Sequence, residues 1–344
     1  MQRDRFISGI TILLLSIVFL IGCGDKEEAS NFFLKGNVQL SKKNYDAAIH
    51  YYNEAIEKYP EFSDAYLNKG IALLQLGKPA EAFKVLTEAI NIDNKFPELY
   101  LTRAEAAIRT GELQTAEDDL NYIAKTYQDS ARFYMVRGNL MVTRKNVANA
   151  LSDFDRVLTL DSNQVEALVN RGAIYFEQKE YEQARKDFEK ALSLNPKQQE
   201  ALNNLGLLES REKNWKKALT YFDRALTINP VDPYALNNKG YVLLETNKLD
   251  EAKKLIESSI NKQPENGYAL RNMGIYFTKA GQKEQAIEQF DKAIELAQPV
   301  EALYAHAGKA YYDLEQIEKA CAIWRRGSLV KDSTAVEYRE KYCQ

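Results

Sequence analysis

The sequence predicts an all-α fold, an array of stacked helical hairpins. Two grids of small residues predict it. Gly36, Gly70, Gly138, Gly172, Gly206, Gly240, Gly274 and Gly308 fall on one spacing of 34 residues, and Ala104 fills the gap. Ala48, Ala82, Ala116, Ala150, Ala184, Ala218, Ala252, Ala286 and Ala320 share that spacing without a gap. A fixed interval of this length marks a repeated structural unit. Composition agrees, since Leu, Ile, Ala, Tyr and Phe are plentiful while 16 glycines and 8 prolines are few and evenly placed.

The chain opens with MQRDR, then an apolar run from Phe6 to Gly22, then Cys23. A short basic head and a short apolar body read as an export signal rather than part of a fold. The run is about 17 residues, at the lower edge of what spans a bilayer. Leu20-Ile21-Gly22-Cys23 resembles the lipobox of bacterial lipoprotein signal peptides, with Ile21 where a small residue is usual. The resemblance implies that residues 1–22 are removed and that Cys23 becomes an acylated first residue. The alternative is an uncleaved anchor helix in which Cys23 is a chance thiol. Either way the chain is tethered to a membrane, more firmly with several acyl chains than with one. On that resemblance, residues 23–28 are the lipidated cysteine and a charged linker. Their acidic residues resemble a surface-export signal of some Gram-negative lineages. The expected location is the bacterial cell envelope, at the outer membrane, with the periplasmic or surface face open.

The repeats run 29–62, 63–96, 97–130, 131–164, 165–198, 199–232, 233–266, 267–300 and 301–328. Each carries two apolar runs at spacings of three and four. In the fifth they are Leu168, Gly172, Ile174 and Tyr175, then Ala184, Phe188, Ala191 and Leu192. Glycine inside a helix costs about 1 kcal/mol against alanine, so its recurrence requires a packing reason. Lacking Cβ, it lets the second helix approach closely. Pro196, Pro230 and Pro264 end second helices. One hairpin cannot bury its apolar face alone, so neighbours stack into a solenoid. The units "VEALVNRGAIYFEQKEYEQARKDFEKALSLNPKQ" and "QEALNNLGLLESREKNWKKALTYFDRALTINPVD" resemble the tetratricopeptide repeat family. The resemblance implies a right-handed superhelix of helical hairpins. Repeat three is degenerate, with Ala104 for glycine and Ile123 for alanine, and repeats two to four lack the closing proline.

Charge excludes one class of partner. Lys and Arg number 46 against 49 Asp and Glu, for a net charge of -3. No basic stripe stands out, so nucleic-acid binding has no electrostatic support. His50 and His306 lie in different repeats, and neither H-x-x-x-H nor C-x-x-C occurs. Phosphate-loop and nucleophile-elbow motifs are missing as well. The expectation is a binding protein without catalysis, cofactor, metal or small-molecule substrate.

First helices should line a concave groove. Asn68, Asn170, Asn204, Asn238 and Asn272 recur there at one position and are expected to form a ladder. An amide donates and accepts, so it can bond a peptide backbone. This resembles the surface with which superhelical repeat proteins grip extended chains. The alternative is that the amides only bond neighbouring helices. Asn203, Asn237 and Arg271 stand one residue before the ladder, and Tyr241 one turn beyond it. Aromatics with arginine are frequent at interface hot spots. The partner is expected to be a protein or extended peptide.

The tail, "EKACAIWRRGSLVKDSTAVEYREKYCQ", resembles the C-x-x-W…Y-C ending of many exported repeat proteins. Residues 329–344 form a capping helix, started by a Thr334–Glu337 capping box. With Cys23 taken by lipid, export leaves Cys321 and Cys343 as a disulfide pair; two separately buried thiols are the alternative. The whole describes a lipid-anchored scaffold or adaptor in envelope, secretion or pilus assembly. Two other readings stand beside it: a convex-face binder of an envelope polymer, and an enzyme with a hidden groove site.

Overall fold

A computed structural model describes residues 25–343. The signal segment and Cys23 lie outside the described residues. The chain forms two compact units, Met1–Ser162 and Asn163–Gln344. In the first, α1 covers residues 25–41. It is followed by α2 (Tyr45–Lys58), α3 (Ser63–Gln75), α4 (Pro79–Ile92), α5 (Pro97–Thr110), α6 (Leu113–Ile123), α7 (Ala131–Thr143) and α8 (Val147–Leu160). The second contains α9 (Val165–Glu177), α10 (Tyr181–Leu194), α11 (Gln199–Arg211), α12 (Trp215–Ile228), α13 (Pro233–Glu245) and α14 (Leu249–Lys262). It continues with α15 (Gly267–Lys279), α16 (Lys283–Glu295), α17 (Leu303–Asp313), α18 (Ile317–Leu329) and α19 (Ser333–Tyr342). The described residues contain no strand. Each unit is a stack of hairpins in which a helix packs on its partner and on the next hairpin.

The glycine grid has a direct physical cause. Each grid glycine faces the large side chain 16 residues later. A Cβ on Gly206 would stand 2.5 Å from Phe222, and one on Gly172 would stand 2.8 Å from Phe188. Both phenylalanines are fully buried. Where Ala104 takes the glycine place, the facing residue is Leu120, and both lie in one buried cluster.

A third grid closes the hairpins. Lys43, Gly77, Gly111, Lys145, Lys179, Lys213, Asn247, Gly281 and Glu315 all have positive φ, again at the repeat spacing. Each follows a first helix and turns the chain into the second. The amide of Lys179 donates to the Phe176 carbonyl at 3.0 Å, and that of Glu180 to the Tyr175 carbonyl at 2.8 Å. These bonds satisfy carbonyls at the helix end, as a left-handed C-terminal cap does. Lysine takes this place although it favours glycine, because the side chain is exposed and only the backbone is constrained.

Three hairpins are further stapled by an ion pair across the same gap. Arg103 Nε and Nη2 donate to Asp119 at 2.8 and 2.7 Å. Arg137 pairs with Asp153, and Arg171 pairs with Asp187. Asp119, Asp153 and Asp187 are buried. In the sixth hairpin the same two places hold Leu205 and Tyr221. Burial raises the Asp119 pKa, and the Arg103 guanidinium opposes that rise.

The capping helix starts differently from the expected box. Asp332, not Thr334, is the N-cap of α19, and its carboxylate accepts from the Ala335 amide at 3.1 Å and the Ala305 amide at 3.0 Å. An aspartate is a charged acceptor at the positive end of the helix, and it sits where it can also bond α17. Cys321 and Cys343 are joined in a disulfide, with their Cα atoms 5.7 Å apart. Beside it Trp324, Tyr312, Tyr338 and Tyr342 form an aromatic cluster that covers the last hairpin.

The buried staple makes a stability prediction. Asp119→Ala leaves a mostly buried guanidinium unpaired and should lower the unfolding free energy in urea by about 3 kcal/mol. The double change Arg103→Leu with Asp119→Tyr, which copies the sixth hairpin, should recover most of that loss. A single variant as stable as the parent would show that the pair contributes nothing.

Candidate binding groove

In the second unit α11, α13, α15 and α17 lie side by side. Each begins where the preceding second helix ends and runs back past it, so their starts share one rim and their ends the other. The asparagines of this face do bond one another, but in a diagonal register. Asn238 Nδ2 donates to Asn203 Oδ1 at 3.1 Å, and Asn272 Nδ2 donates to Asn237 Oδ1 at 2.8 Å. Asn237 Nδ2 reaches Asn238 Oδ1 at 3.3 Å within its own helix. Asn238 and Asn272 therefore each bond the residue before the preceding ladder member, 35 residues back, and not that member itself.

The chain of amides ends on Arg271. Its Nε and Nη2 donate to Asn272 Oδ1 at 3.1 and 2.8 Å, and its Nη1 donates to the Glu301 carbonyl at 2.7 Å. The guanidinium lies 5.6 Å from the Tyr241 ring and 5.3 Å from the Tyr268 ring. Burial lowers the Arg271 pKa, while the two tyrosines and then Glu301 and Glu245 favour the charge. Burial likewise raises the Tyr241 pKa, with Glu245 next.

These bonds sort the candidate residues. Asn237 and Asn272 are 3% and 0% exposed, so their amides join helix to helix and do not present themselves to a ligand. Asn203, Asn204, Asn238 and Tyr241 are half-buried on the open face. Tyr234 and Tyr268, at the starts of α13 and α15, are exposed. In the first unit, Asn68 on α3 donates to Asn37 Oδ1 on α1 at 2.8 Å, and the Tyr52 hydroxyl donates to the same oxygen at 2.8 Å. Asn170 is half-buried on α9. The candidates thus fall into two groups, Asn68 in the first unit and Asn170 onward in the second.

Two features were not read from the sequence. The last residues of the first helices form a row of alternating charge: Glu177, Arg211, Glu245, Lys279 and Asp313. Lys279 pairs with Glu245 at 3.8 Å. The same repeat spacing that revealed the glycines would have revealed this row. The second feature is an ion pair between Arg211 and Glu301 at 3.3 Å, 90 residues apart. No grid could have shown it. Among the described residues, no group of three or more His, Cys, Asp or Glu is placed to hold a metal ion. None of their helices is long and apolar enough to cross a membrane.

A separation of roles follows. Asn272→Ala should lower stability by about 1–3 kcal/mol, because it leaves buried groups of Asn237 and Arg271 unpaired. Asn204→Ala should change stability by less than about 0.5 kcal/mol. Thermal melts of the two variants check this, and equal melting temperatures would contradict the assignment.

Comparison with known proteins agrees with this architecture. Models described as tetratricopeptide repeat match residues 33–95, 73–140 and 165–198. A model of the Psidin N-terminal TPR repeats region matches residues 206–323. Human DnaJ homolog subfamily C member 7 is 34% identical over 68 residues, or 20% of this chain. The match spans only 14% of that relative's length. The crystal structure of the APC/C hetero-tetramer Cut9-Hcn1 is similar in fold, with a TM-score of 0.66 and 14% identity over 92% of this chain and 76% of that one. So is a tetratricopeptide repeat protein from Parabacteroides merdae, with a TM-score of 0.52 and 19% identity over 82% of this chain and 99% of that one.

Proposed function

We propose that this chain, a tetratricopeptide-repeat protein, is a lipid-anchored adaptor that holds an extended segment of a partner protein along its first helices. Repeats of this fold act as protein- and peptide-binding scaffolds. The observation that carries the reading is the open face of α11, α13 and α15. It offers half-buried Asn203, Asn204, Asn238 and Tyr241 beside exposed Tyr234 and Tyr268. Half-buried amides can bond a peptide backbone without reading its side chains. Tyrosines supply contact area and a hydroxyl at low entropic cost. The work of the protein is binding, and no bond is made or broken.

The anchor rests on Leu20-Ile21-Gly22-Cys23 and the basic head before it. Helix α1 includes residue 25, two residues after Cys23. An acylated Cys23 would therefore hold the first hairpin close to the lipid headgroups. The acidic residues after Cys23 support the bacterial outer membrane as the adaptor's location, with a role in envelope, secretion or pilus assembly.

Crosslinking in intact cells identifies the partner. Tyr241→Ala combined with Asn204→Ala should then lose that partner by at least about tenfold while the far-ultraviolet circular dichroism stays that of the parent. Full retention by the folded variant would remove the groove as the grip. The anchor is tested separately. Cys23→Ser should lose labelling by a fatty-acid probe and keep residues 1–22. Wild-type protein that takes up no fatty acid would overturn the lipid anchor and leave the groove untouched.

A further inference from the structure

The approach to α17 departs from the approaches to α3 through α15. First helices start at Ser63, Pro97, Ala131, Val165, Gln199, Pro233 and Gly267, always one repeat apart. The next start falls on Glu301, yet α17 begins at Leu303. Pro299 lies one residue beyond the grid of Pro196, Pro230 and Pro264. A proline biases the residue before it away from the helical region, so the shift extends the link. Ala297 and Ala302 both have positive φ, at 53° and 56°, which no glycine relieves. Left-handed backbone is uncommon outside glycine and is held only where the surroundings impose it.

The surroundings here are the first turns of α15. Gln298 Oε1 accepts from the Gly267 amide at 3.2 Å, and Gln298 Nε2 donates to the Glu265 carbonyl at 3.0 Å. The Tyr268 hydroxyl donates to the Pro299 carbonyl at 3.3 Å, and Arg271 holds the Glu301 carbonyl. Val300 is buried, and a Cβ on Gly267 would stand 2.7 Å from it. Residues 298–301 are therefore a strap fastened to α15, and the strap delivers the Glu301 carboxylate to Arg211.

That contact crosses the open face. Arg211 ends α11 on one rim, and Glu301 precedes α17 on the other, with α13 and α15 between them. The Arg211 guanidinium rests 5.1 Å from the Tyr181 ring, so the cation is backed by an aromatic face. Glu301 and Arg211 side chains are 66% and 38% exposed. An ion pair so exposed is held weakly and exchanges readily. An extended chain lying from α11 towards α17 must displace it, and a carboxylate of that chain can take the place Glu301 leaves.

We infer that Glu301 is an internal occupant of the groove, and that the partner is an extended peptide whose acidic side chain replaces it on Arg211. This rests on the groove reading above. The clasp keeps Arg211 paired while the groove is empty, and it favours acidic partners over basic ones. A basic side chain meets Arg211 as a like charge.

The test uses the full mature protein in detergent and two fluorescein-labelled ten-residue peptides. One alternates glutamate with serine, the other lysine with serine. Glu301→Gln should bind the glutamate peptide about three- to fivefold tighter than wild type, the scale of one exposed ion pair. Adding Arg211→Gln should cancel the gain, and the lysine peptide should show none. Equal binding of the glutamate peptide by wild type and Glu301→Gln, including no binding by either, overturns the clasp. So does a gain that survives Arg211→Gln or appears with the lysine peptide. Partner loss in the Tyr241→Ala and Asn204→Ala double variant, with no effect of Glu301→Gln, sinks the clasp and leaves the groove standing. A Glu301→Gln gain with the cross-linked partner fully retained in that double variant does the opposite.

Discussion

Everything in this fold depends on how closely the two helices of a hairpin approach. A glycine on the first helix meets a large side chain 16 residues later on the second, and a single methyl group would intrude on it. The stabilising term is the burial of that large side chain. Fully burying a phenylalanine or leucine is worth roughly 1.5–3 kcal/mol against leaving it exposed. The glycine loses about 1 kcal/mol of helix propensity against alanine. The first term exceeds the second, so glycine persists inside helices where it would otherwise weaken them. The alanine grid serves the same approach from the second helix, where each grid alanine is fully buried.

Once the hairpin gap is narrow, other groups must fit it or bridge it. Leu205 and Tyr221 hold the equivalent places in the sixth hairpin, whereas Arg103, Arg137 and Arg171 reach buried aspartates across theirs. Both solutions fill the same space. The ionic one adds two parallel hydrogen bonds and fixes the register of the helices, at the expense of desolvating a carboxylate. Turns between the helices obey the same economy of space. A left-handed residue reverses the chain in the fewest steps, and among the described residues it recurs in all nine hairpins whether or not the residue is glycine.

The fold was legible because its constraints repeat at one interval. Gly206 and Ala218 announce themselves by period alone. The Arg103–Asp119 pair repeats as well, but charged residues in a helical array read as solvated surface until burial is seen. Asn272 shows a different limit. Its recurrence was plain, but its bond runs to Asn237 rather than to Asn238, because neighbouring first helices are offset. A grid of one position cannot reveal a bond between two positions. Asp332 displaced Thr334 as the cap of α19 because it also bonds α17, a contact far away in sequence.

The site departs from the pattern where the repeat itself fails. The seven first helices from α3 to α15 start one repeat apart, but the start of α17 is set by the strap that precedes it. Pro299, one residue late, is the visible trace of that change. Its consequence could not be read locally, since Glu301 meets a residue 90 positions earlier. A regular solenoid presents the same face again and again, and such a face binds extended chains with little selectivity. Selectivity requires a break in the regularity. Here the break removes Glu301 from a helix and sets its charge across the groove from Arg211. Arg271 cannot serve that purpose, because it is bonded to Asn272 and to the strap and lies between two tyrosine rings. The exposed cation is the one that can change partners, and the buried one holds the strap that makes the exchange meaningful.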